Sequence, residues 1–331
     1  MIDKILTTKE YSEKFNVSIK SEGFLSDDKN KNNFKLFQYN NATLFSNNTV
    51  IIENKYIIKN HIKNKEAVLS NTHKLLEDKS TSLIELNDCE YIALLENKTN
   101  SYWYWFFNYL PLAIVSEILG FNGKYIIKND YFFNQKLETL ELLGIDSNRV
   151  LIQKENNYFI IKNLLFIETN DSRLEIPLKI IHDKILDKLP KKISNNKKIY
   201  ISRNNNKRMV LNEEEIWEIL EYYGFIKITL ENYTLEEQIK LISESNFLIG
   251  GHGSGMALSL FMQEKSRIIE FFSSTYINYY YSLINSKILN HDHRMLVTEL
   301  CGEYPYGSTC EANILVNMKY LEVILENIFG Y

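Results

Sequence analysis

Cysteine is scarce in this chain. Only Cys89, Cys301 and Cys310 occur in 331 residues, and they form neither a C-x-x-C pair nor a paired framework. Secreted domains that depend on disulfides show such frameworks, so this spacing favours a reducing compartment over secretion.

Long apolar runs are also missing. The most apolar window, residues 103–119, is interrupted by Asn108, Pro111 and Glu117 and falls short of a membrane-spanning helix. The first residues contain no apolar core, so we expect no signal peptide. We therefore expect a cytoplasmic protein, with peripheral attachment to the inner face of the cell membrane left open.

No excess of charge of either sign is present. The net charge is −4, from 38 basic and 42 acidic residues, and the lysines and arginines are scattered. A nucleic-acid partner is therefore not expected. Hydrophobic residues make up 45% of the chain, an ordinary globular value, and the length suits two domains. Nothing in the sequence indicates an oligomeric state.

What the chain does contain is an alternation of strand and helix patterns. Residues 1–190 form the predicted N-terminal, acceptor-side domain. Its first 95 residues or so read as β-rich, with predicted hairpins at 34–45 and 49–58. Strands and helices alternate after that, with a third predicted hairpin at 158–167 and a helix from Pro177. Polar residues 191–198 mark the predicted domain boundary. Residues 191–316 alternate regularly, which predicts an α/β domain with a parallel sheet. A last helix in 317–331 is predicted to pack back on the N-terminal domain.

Residues 246–272 form the most informative stretch. An apolar strand leads into Gly-Gly-His-Gly-Ser-Gly at 250–255, and a second strand ends at Glu270. Closely spaced glycines allow positive φ angles and close approach of the backbone to a ligand. With Ser254 as the predicted N-cap of a following helix, this turn offers free N–H groups to an anion. Because ligands bind at the carboxyl ends of parallel strands, Arg203 and Glu270 are expected at the same edge.

Two other uses of this turn are weaker. A tight turn that needs glycine only for packing explains the stretch equally well when it is taken alone. The pattern also departs from G-x-G-x-x-G, because Met256 and Leu258 stand where a third glycine would, which disfavours a nucleotide-dependent oxidoreductase or epimerase.

Several blocks in the same order resemble one family. They are Tyr-Ile-Ser-Arg at 200–203, Arg208, Asn-Glu at 212–213, Gly-Phe at 224–225, Glu-Gln-Ile at 237–239, the glycine turn through Met256, and Ile-Glu-Phe at 269–271. This set looks like the family 61 glycosyltransferases. The resemblance implies a GT-B architecture of two Rossmann-like domains with parallel sheets facing across a cleft. It also implies a nucleotide-sugar donor on the C-terminal domain and transfer with inversion, without an obligatory metal or cofactor.

The donor site expected from the turn and the resemblance contains eight residues: Arg203, Arg208, Gly251, His252, Gly253, Ser254, Gly255 and Glu270. The two arginines suit a diphosphate, because guanidinium makes bidentate, permanently charged contacts. His252 is expected to donate to a phosphate or to the donor sugar, and Glu270 to accept from ribose hydroxyls. No Asp-x-Asp pair follows a strand, in agreement with a metal-free reaction.

One segment departs from the family pattern. Aligned on Trp105 and Pro111, the chain has Tyr104 where the family usually has histidine and Asn108 where it usually has an acid. The general base is therefore unassigned, with His252, Tyr104 and Asn108 as the catalytic candidates. A catalytically silent sugar-nucleotide-binding or scaffold protein is the alternative that these two positions favour.

Other suggestive residues have ordinary explanations. His291-Asp292-His293 is expected to be a solvent-exposed loop rather than a metal site. The aromatic residues at 103–106 are either core or a stacking surface for a sugar. Glu213 and Glu237 are expected to be charges in the first turns of helices.

The sequence thus predicts a hexosyl- or N-acetylhexosaminyl-transferase. The expected donor is UDP-linked and the expected acceptor is a hydroxyl of a glycan or glycolipid, in surface polysaccharide biosynthesis.

Overall fold

The computed structural model describes residues 4–6, 19–24, 33–45, 50–52, 56–58, 82–95, 101–154, 157–168, 175–189, 196–203, 207–298 and 311–330. The chain divides into two compact units, Met1–Ile181 and His182–Tyr331. The domain limits predicted from the sequence, 1–190, 191–316 and 317–331, stay predictions. Most of the polar segment 191–198 lies outside the described residues, and so do Cys301 and Cys310.

The first unit is built on a mixed sheet. Its strands within the described residues are β1 Lys4–Leu6, β2 Ile19–Phe24, β3 Asn33–Leu44, β4 Val50–Ile52, β5 Tyr56–Ile58, β6 Ser82–Leu86, β7 Tyr91–Leu94, β8 Lys124–Lys128, β9 Val150–Gln153 and β10 Asn157–Glu168. The order is β1-β5-β4-β3-β10-β7-β8-β9, with β2 on β3 and β6 on β10. Strands β10, β7, β8 and β9 run parallel, whereas β2, β3, β4 and β5 pair antiparallel.

Two predicted hairpins of this unit are wrong. Residues 33–44 and 157–168 are each one continuous strand, and the two strands pair with each other in antiparallel register. Their polar interruptions meet, because Asn40 lies opposite Asn163, and Gln38 donates to Asn163 Oδ1 at 3.0 Å. These polar residues pair across the two strands. In the sequence they interrupt each apolar run, and so each strand was mistaken for a hairpin with a turn. The hairpin predicted at 49–58 is present as β4 and β5.

Helices follow the parallel strands of this unit. Helix α1, Tyr102–Tyr104, continues through a π-helical turn, Trp105–Tyr109, into α2, Leu110–Ile118. Helix α3 spans Phe133–Leu142, and α4, Glu175–Lys188, contains the division between the two units. Ser101 caps α1 through its side chain, as its position at the predicted helix start suggests.

The second unit holds a five-stranded parallel sheet. Its elements are β11 Lys197–Ile201, α5 Glu213–Tyr222, β12 Ile226–Ile228, α6 Leu235–Ser243, β13 Ser245–Gly251, β14 Arg267–Ser273, α7 Tyr280–Leu289, β15 Asp292–Thr298 and α8 Met318–Phe329. The strand order is β12-β11-β13-β14-β15, and every pair is parallel. Numbered within the unit, this is the order 2-1-3-4-5 of a doubly wound sheet. The predicted α/β class with parallel sheets is confirmed.

The core of this unit lies between the sheet and its helices. Ile216 and Leu220 of α5 pack with Ile249 of β13 in one buried cluster. The same cluster contains Leu321 and Leu325 of α8, so the helix predicted to pack on the N-terminal domain buries these side chains in its own unit. Their four-residue spacing puts both on one face of the helix, which suffices for that burial.

Acidic residues fix the ends of two elements. Glu213, in the first turn of α5, accepts from Tyr200 at 2.8 Å and from Ser202 at 3.0 Å, which ties the helix start to the end of β11. Glu237 completes a capping box with Thr234 at the start of α6. Both predicted first-turn positions are confirmed.

Across the described residues, the helices are all too short or too polar to cross a bilayer.

Candidate functional site

The candidate site lies where the strand order of the second unit reverses. Strands β11 and β13 are neighbours, and their chains leave the sheet toward β12 on one side and β14 on the other. Clefts at such switch points, outside the carboxyl ends of the strands, are the usual ligand sites of doubly wound sheets. Arg203 follows β11 by two residues, and the glycine turn follows β13. The topology therefore brings these two predicted features to one point.

Arg203 and the glycine turn are in direct contact. Nη1 of Arg203 donates to the carbonyl of His252 at 2.9 Å. A Cβ built on Gly253 would lie 1.5 Å from that same Nη1, and one built on Gly251 would lie 3.5 Å from Cδ of Arg203. Position 253 is therefore glycine because the guanidinium occupies the space of a side chain.

The glycines of this turn are not needed for positive φ angles, contrary to expectation. None of Gly250, Gly251, Gly253 and Gly255 is among the left-handed residues, and Gly253 has an extended φ of 169°. Ser254 is also not an N-cap: the segment Ser254–Phe261 is a 3-10 helix that follows Gly253 without a side-chain cap. Close approach by Arg203, rather than backbone conformation, accounts for Gly253.

Arg208, the second arginine of the predicted site, has an unusual backbone conformation. Its φ of 63° lies in the left-handed region, which costs a non-glycine residue on the order of 1 kcal/mol or more. Its Cζ lies 5.9 Å from the centre of the Tyr276 ring, a cation–π contact. Backbone strain of this kind persists where the surroundings impose it, and functional sites are the common case.

Both arginines have unused hydrogen-bonding capacity. Nε of Arg203 and Nε of Arg208 are buried and have no hydrogen-bond partner among the described residues. Burial, together with the neighbouring charge of Arg208, lowers the pKa of Arg203 from its ordinary value to about 10. Arg203 thus stays charged at neutral pH at a cost in solvation that a bound anion would offset.

Glu270 is not available to a ribose, contrary to the sequence prediction. Its side chain is fully buried, and its two oxygens are occupied by His252 Nδ1 at 2.6 Å and His293 Nε2 at 3.0 Å. The prediction of an exposed loop at 291–293 is also wrong: His293 belongs to β15, and its side chain and His291 are buried. Only Asp292 of the three is exposed.

Aromatic side chains also pack against the imidazole ring of His252. It stacks on Phe272 with ring centres 4.6 Å apart and contacts the rings of Tyr276 and Tyr281. Its Nε2 makes no hydrogen bond to a described residue. His252 is therefore a fixed group whose Nδ1 is bonded to Glu270 and whose Nε2 has no hydrogen-bond partner among the described residues.

Of the catalytic candidates in the first unit, Tyr104 is the last residue of α1 and Asn108 lies in the π-helical turn that follows. Trp105, Phe106 and Phe107 are core residues, and Trp105 Nε1 donates to Thr139 at 2.7 Å. Tyr104 packs edge-on against Trp103, with ring centres 4.7 Å apart. Nδ2 of Asn108 is buried and has no partner among the described residues. These residues belong to the first unit, whereas His252 and the arginines belong to the second.

The sequence reading missed His293, Asn285 and Ser259, which continue the network behind Glu270. Asn285 Nδ2 lies 3.2 Å from His293 Nδ1 and 2.9 Å from Ser259 Oγ. A strand assignment for 292–298 would have provided the missing signal. Met295 pairs with Glu270, so His293, two residues earlier, shares the face of the carboxylate on the neighbouring strand.

The fold and site define an α/β protein with two arginines beside a glycine turn at a sheet switch point. Comparison with known families then identifies it more closely: the family described as Glycosyltransferase 61 matches residues 102–269. This match covers half of the chain, and the chain belongs to glycosyltransferase family 61. A search of curated proteins gives no match.

Membership of this family confirms the resemblance drawn from the sequence blocks and assigns glycosyltransferase activity, with a sugar donor and an acceptor as substrates. The matched region includes the π-helical segment, both site arginines and the glycine turn, and it ends one residue before Glu270.

Proposed function

We propose that the second unit binds a nucleoside diphosphate sugar, with UDP as the nucleotide, and that the protein transfers the sugar with inversion to a hydroxyl of a glycan or glycolipid. The observation that carries this proposal is a pair of half-buried arginines beside the glycine turn at the switch point, whose buried Nε atoms have no hydrogen-bond partner among the described residues. A diphosphate supplies the negative charge and the acceptor oxygens that this pair lacks.

In this proposal, the two arginines bind the diphosphate and stabilise the charge that develops on it. The acceptor oxygen attacks the anomeric carbon from the face opposite the diphosphate, and the bond from that carbon to the diphosphate oxygen breaks with its electron pair. Preorganised cations contribute to such a step because they need not reorient as the charge develops. In this scheme the side chain of His252, and not that of Glu270, contacts the substrate.

The proposal also includes a fold organisation, a sugar class, a pathway and a location. They are the GT-B organisation, with the second unit as the donor-binding domain; a hexosyl or N-acetylhexosaminyl group; a role in surface polysaccharide synthesis; and a cytoplasmic setting at the inner face of the membrane. Independence from a metal and from other cofactors stays a prediction. The 3-10 helix after the glycine turn and the absent third glycine support a sugar nucleotide over a dinucleotide.

A titration of purified protein with UDP, GDP, CMP and NAD tests the donor assignment. UDP is expected to bind and to raise the melting temperature, and Arg203→Ala is expected to abolish both effects. Binding of NAD without binding of any sugar nucleotide component would refute the proposal. Lys207→Ala is a suitable control, because Lys207 is an exposed cation in the same segment that pairs with Glu311.

A silent binding protein is the second candidate, favoured by Tyr104 and Asn108 in the positions where the family usually has histidine and an acid. Incubation with UDP-sugars in the presence and absence of glycan or glycolipid acceptors separates the two. Release of UDP together with a glycosylated acceptor supports the transferase, whereas UDP-sugar binding without turnover supports the silent protein.

A further inference from the structure

Behind His252 lies a continuous chain of buried hydrogen bonds. It runs from the backbone carbonyl of Met256 through Ser259, Asn285, His293 and Glu270 to His252, and each side chain in it is buried. The members come from the 3-10 helix, α7, β15 and β14. No role in donor binding accounts for the three members farthest from the site.

The direction of donation along this chain is fixed at its far end. A carbonyl only accepts, so the 2.7 Å contact between Ser259 Oγ and the Met256 carbonyl places the hydroxyl proton there. Ser259 Oγ then accepts from Asn285 Nδ2 at 2.9 Å, which identifies that atom as the amide nitrogen. The second N–H of the amide points to His293 Nδ1 at 3.2 Å, so Nδ1 is the acceptor.

The protonation of His293 follows from this. Burial lowers the pKa of His293 to about 4, so the ring is neutral at pH 7 and carries a single proton. With Nδ1 accepting from Asn285, that proton is on Nε2, which donates to Glu270 Oε2 at 3.0 Å. His293 therefore serves as a fixed donor to the buried carboxylate.

Glu270 depends on such donors for its charge. Burial raises the pKa of Glu270, and the hydrogen bond from His252 and the positive charge of Arg208 oppose that effect. Donation by His293 acts in the same direction as these two, because hydrogen bonds to a carboxylate favour the ionised form. In its ionised form, which these three contacts favour, the carboxylate only accepts, and His252 then presents Nδ1–H to Oε1.

We infer that the Asn285–His293–Glu270 chain holds His252 in the tautomer with the proton on Nδ1, so that Nε2 is a proton acceptor. His252 is then the general base of the proposed transfer: Nε2 takes the proton of the acceptor hydroxyl as its oxygen bonds to the anomeric carbon, and the diphosphate leaves with the electron pair. This replaces the sequence-based prediction that His252 donates to phosphate. His293 and Asn285 are positioning residues that act through Glu270, and the inference rests on the proposed function for the identity of the reaction.

The tautomer can be measured without any substrate. In a long-range ¹H–¹⁵N spectrum at neutral pH, the His252 signals are identified by their loss in His252→Gln among the six histidines of the chain. We expect Nδ1 to show a pyrrole-type and Nε2 a pyridine-type nitrogen shift. The opposite pattern would overturn the inference even if UDP binds, and the expected pattern without UDP binding would leave the network intact while refuting the donor site.

Turnover measurements test the role of His293. His293→Leu removes the donor to Glu270, and we expect kcat to fall at least about tenfold with UDP affinity unchanged. His293→Gln keeps an N–H donor and is expected to recover most of that loss. His291→Leu is the matched control, since His291 is a buried histidine two residues away that bonds to the Gln263 carbonyl and not to Glu270.

An equal loss of kcat in His291→Leu and His293→Leu, per folded molecule, would reduce the role of His293 to packing and overturn this part. A folded His293→Gln variant that does not recover activity would also overturn this part. If His293→Leu does not fold, the tautomer of His252 in the unmodified protein decides the question.

Discussion

The guanidinium of Arg203 lies where a side chain at position 253 would begin, with Nη1 only 1.5 Å from the Cβ that Gly253 lacks. The same Nη1 holds the carbonyl of His252. The glycine turn and the arginine after β11 are thus in direct contact, and a side chain at position 253 would require the guanidinium to move.

Gly253→Ala is therefore expected to displace Arg203 and to weaken UDP binding at least about tenfold, as loss of a charged hydrogen-bond contact would. Calorimetric titration measures this loss. Gly224→Ala is the control: Gly224 has φ +76° with open space around it, so alanine there strains the backbone by about 1 kcal/mol and leaves binding unchanged. Equal UDP affinity in the Gly253→Ala and unmodified proteins would contradict the contact.

Stability should depend on pH through His291. Burial lowers its pKa from 6.5 to about 4, so between these values the unfolded chain binds a proton that the folded protein does not. Stability from this residue is complete above pH 6.5 and is lost as the pH falls toward 4, by up to about 1.4 kcal/mol per pH unit.

Urea unfolding between these pH values measures the effect, and His291→Gln provides the comparison because it cannot titrate there. The unmodified protein is expected to lose more unfolding free energy than the variant on acidification. Parallel curves for the two proteins would show that the buried imidazole is protonated in the folded state.

The first unit contains a buried ion pair whose partners depend on each other. Lys136 Nζ lies 2.6 Å from Asp130 Oδ2, and the side chains are 1% and 3% exposed. Lys136→Met leaves the carboxylate buried without its cation and is expected to cost about 3–5 kcal/mol in unfolding free energy. Adding Asp130→Asn should restore part of the loss, because the uncompensated charge is gone.

Arg294→Met is the exposed counterpart. Arg294 and Asp292 are 42% and 45% exposed, so breaking that pair should cost less than about 1 kcal/mol. Similar costs for Lys136→Met and Arg294→Met in chemical unfolding would show that burial does not set the strength of the first pair.

Tyr104 is the rival to His252 as a general base. If His252 has that role, Tyr104→Phe should keep kcat within about a factor of two, whereas His252→Gln should lower it by about 10²–10⁴. Initial rates of UDP release at saturating acceptor distinguish the two. A large loss in Tyr104→Phe would move the base to the first unit.

The second unit was largely predictable because local signals and global topology agree there. Regular β/α alternation gave the strands and helices, and the rule that ligands lie at carboxyl strand ends placed Arg203 beside the glycine turn. The capping box at Thr234 and the helix-ending Gly224 are local patterns that hold in the structure.

The failures at Glu270 and in the predicted hairpins have a common physical cause: they depend on residues far apart in sequence. Glu270 has the local pattern of a surface strand end, and its contacts with His252 and with His293 of the next strand make it a buried acceptor. Asn40 and Asn163 similarly read as turn residues until their pairing across β3 and β10 is known. A single sequence carries no direct signal of such partners.

The π-helical turn at Trp105–Tyr109 has a consequence for how sequences of this family are compared. A π turn holds one residue more than an α turn, so the chain beyond it is rotated by about 100° relative to an uninterrupted helix. In evolutionary terms it is equivalent to a single-codon insertion. An ungapped alignment to a sequence that lacks the turn compares side chains from different helix faces, so counterparts of Tyr104 and Asn108 in such a sequence should be sought by face and not by position.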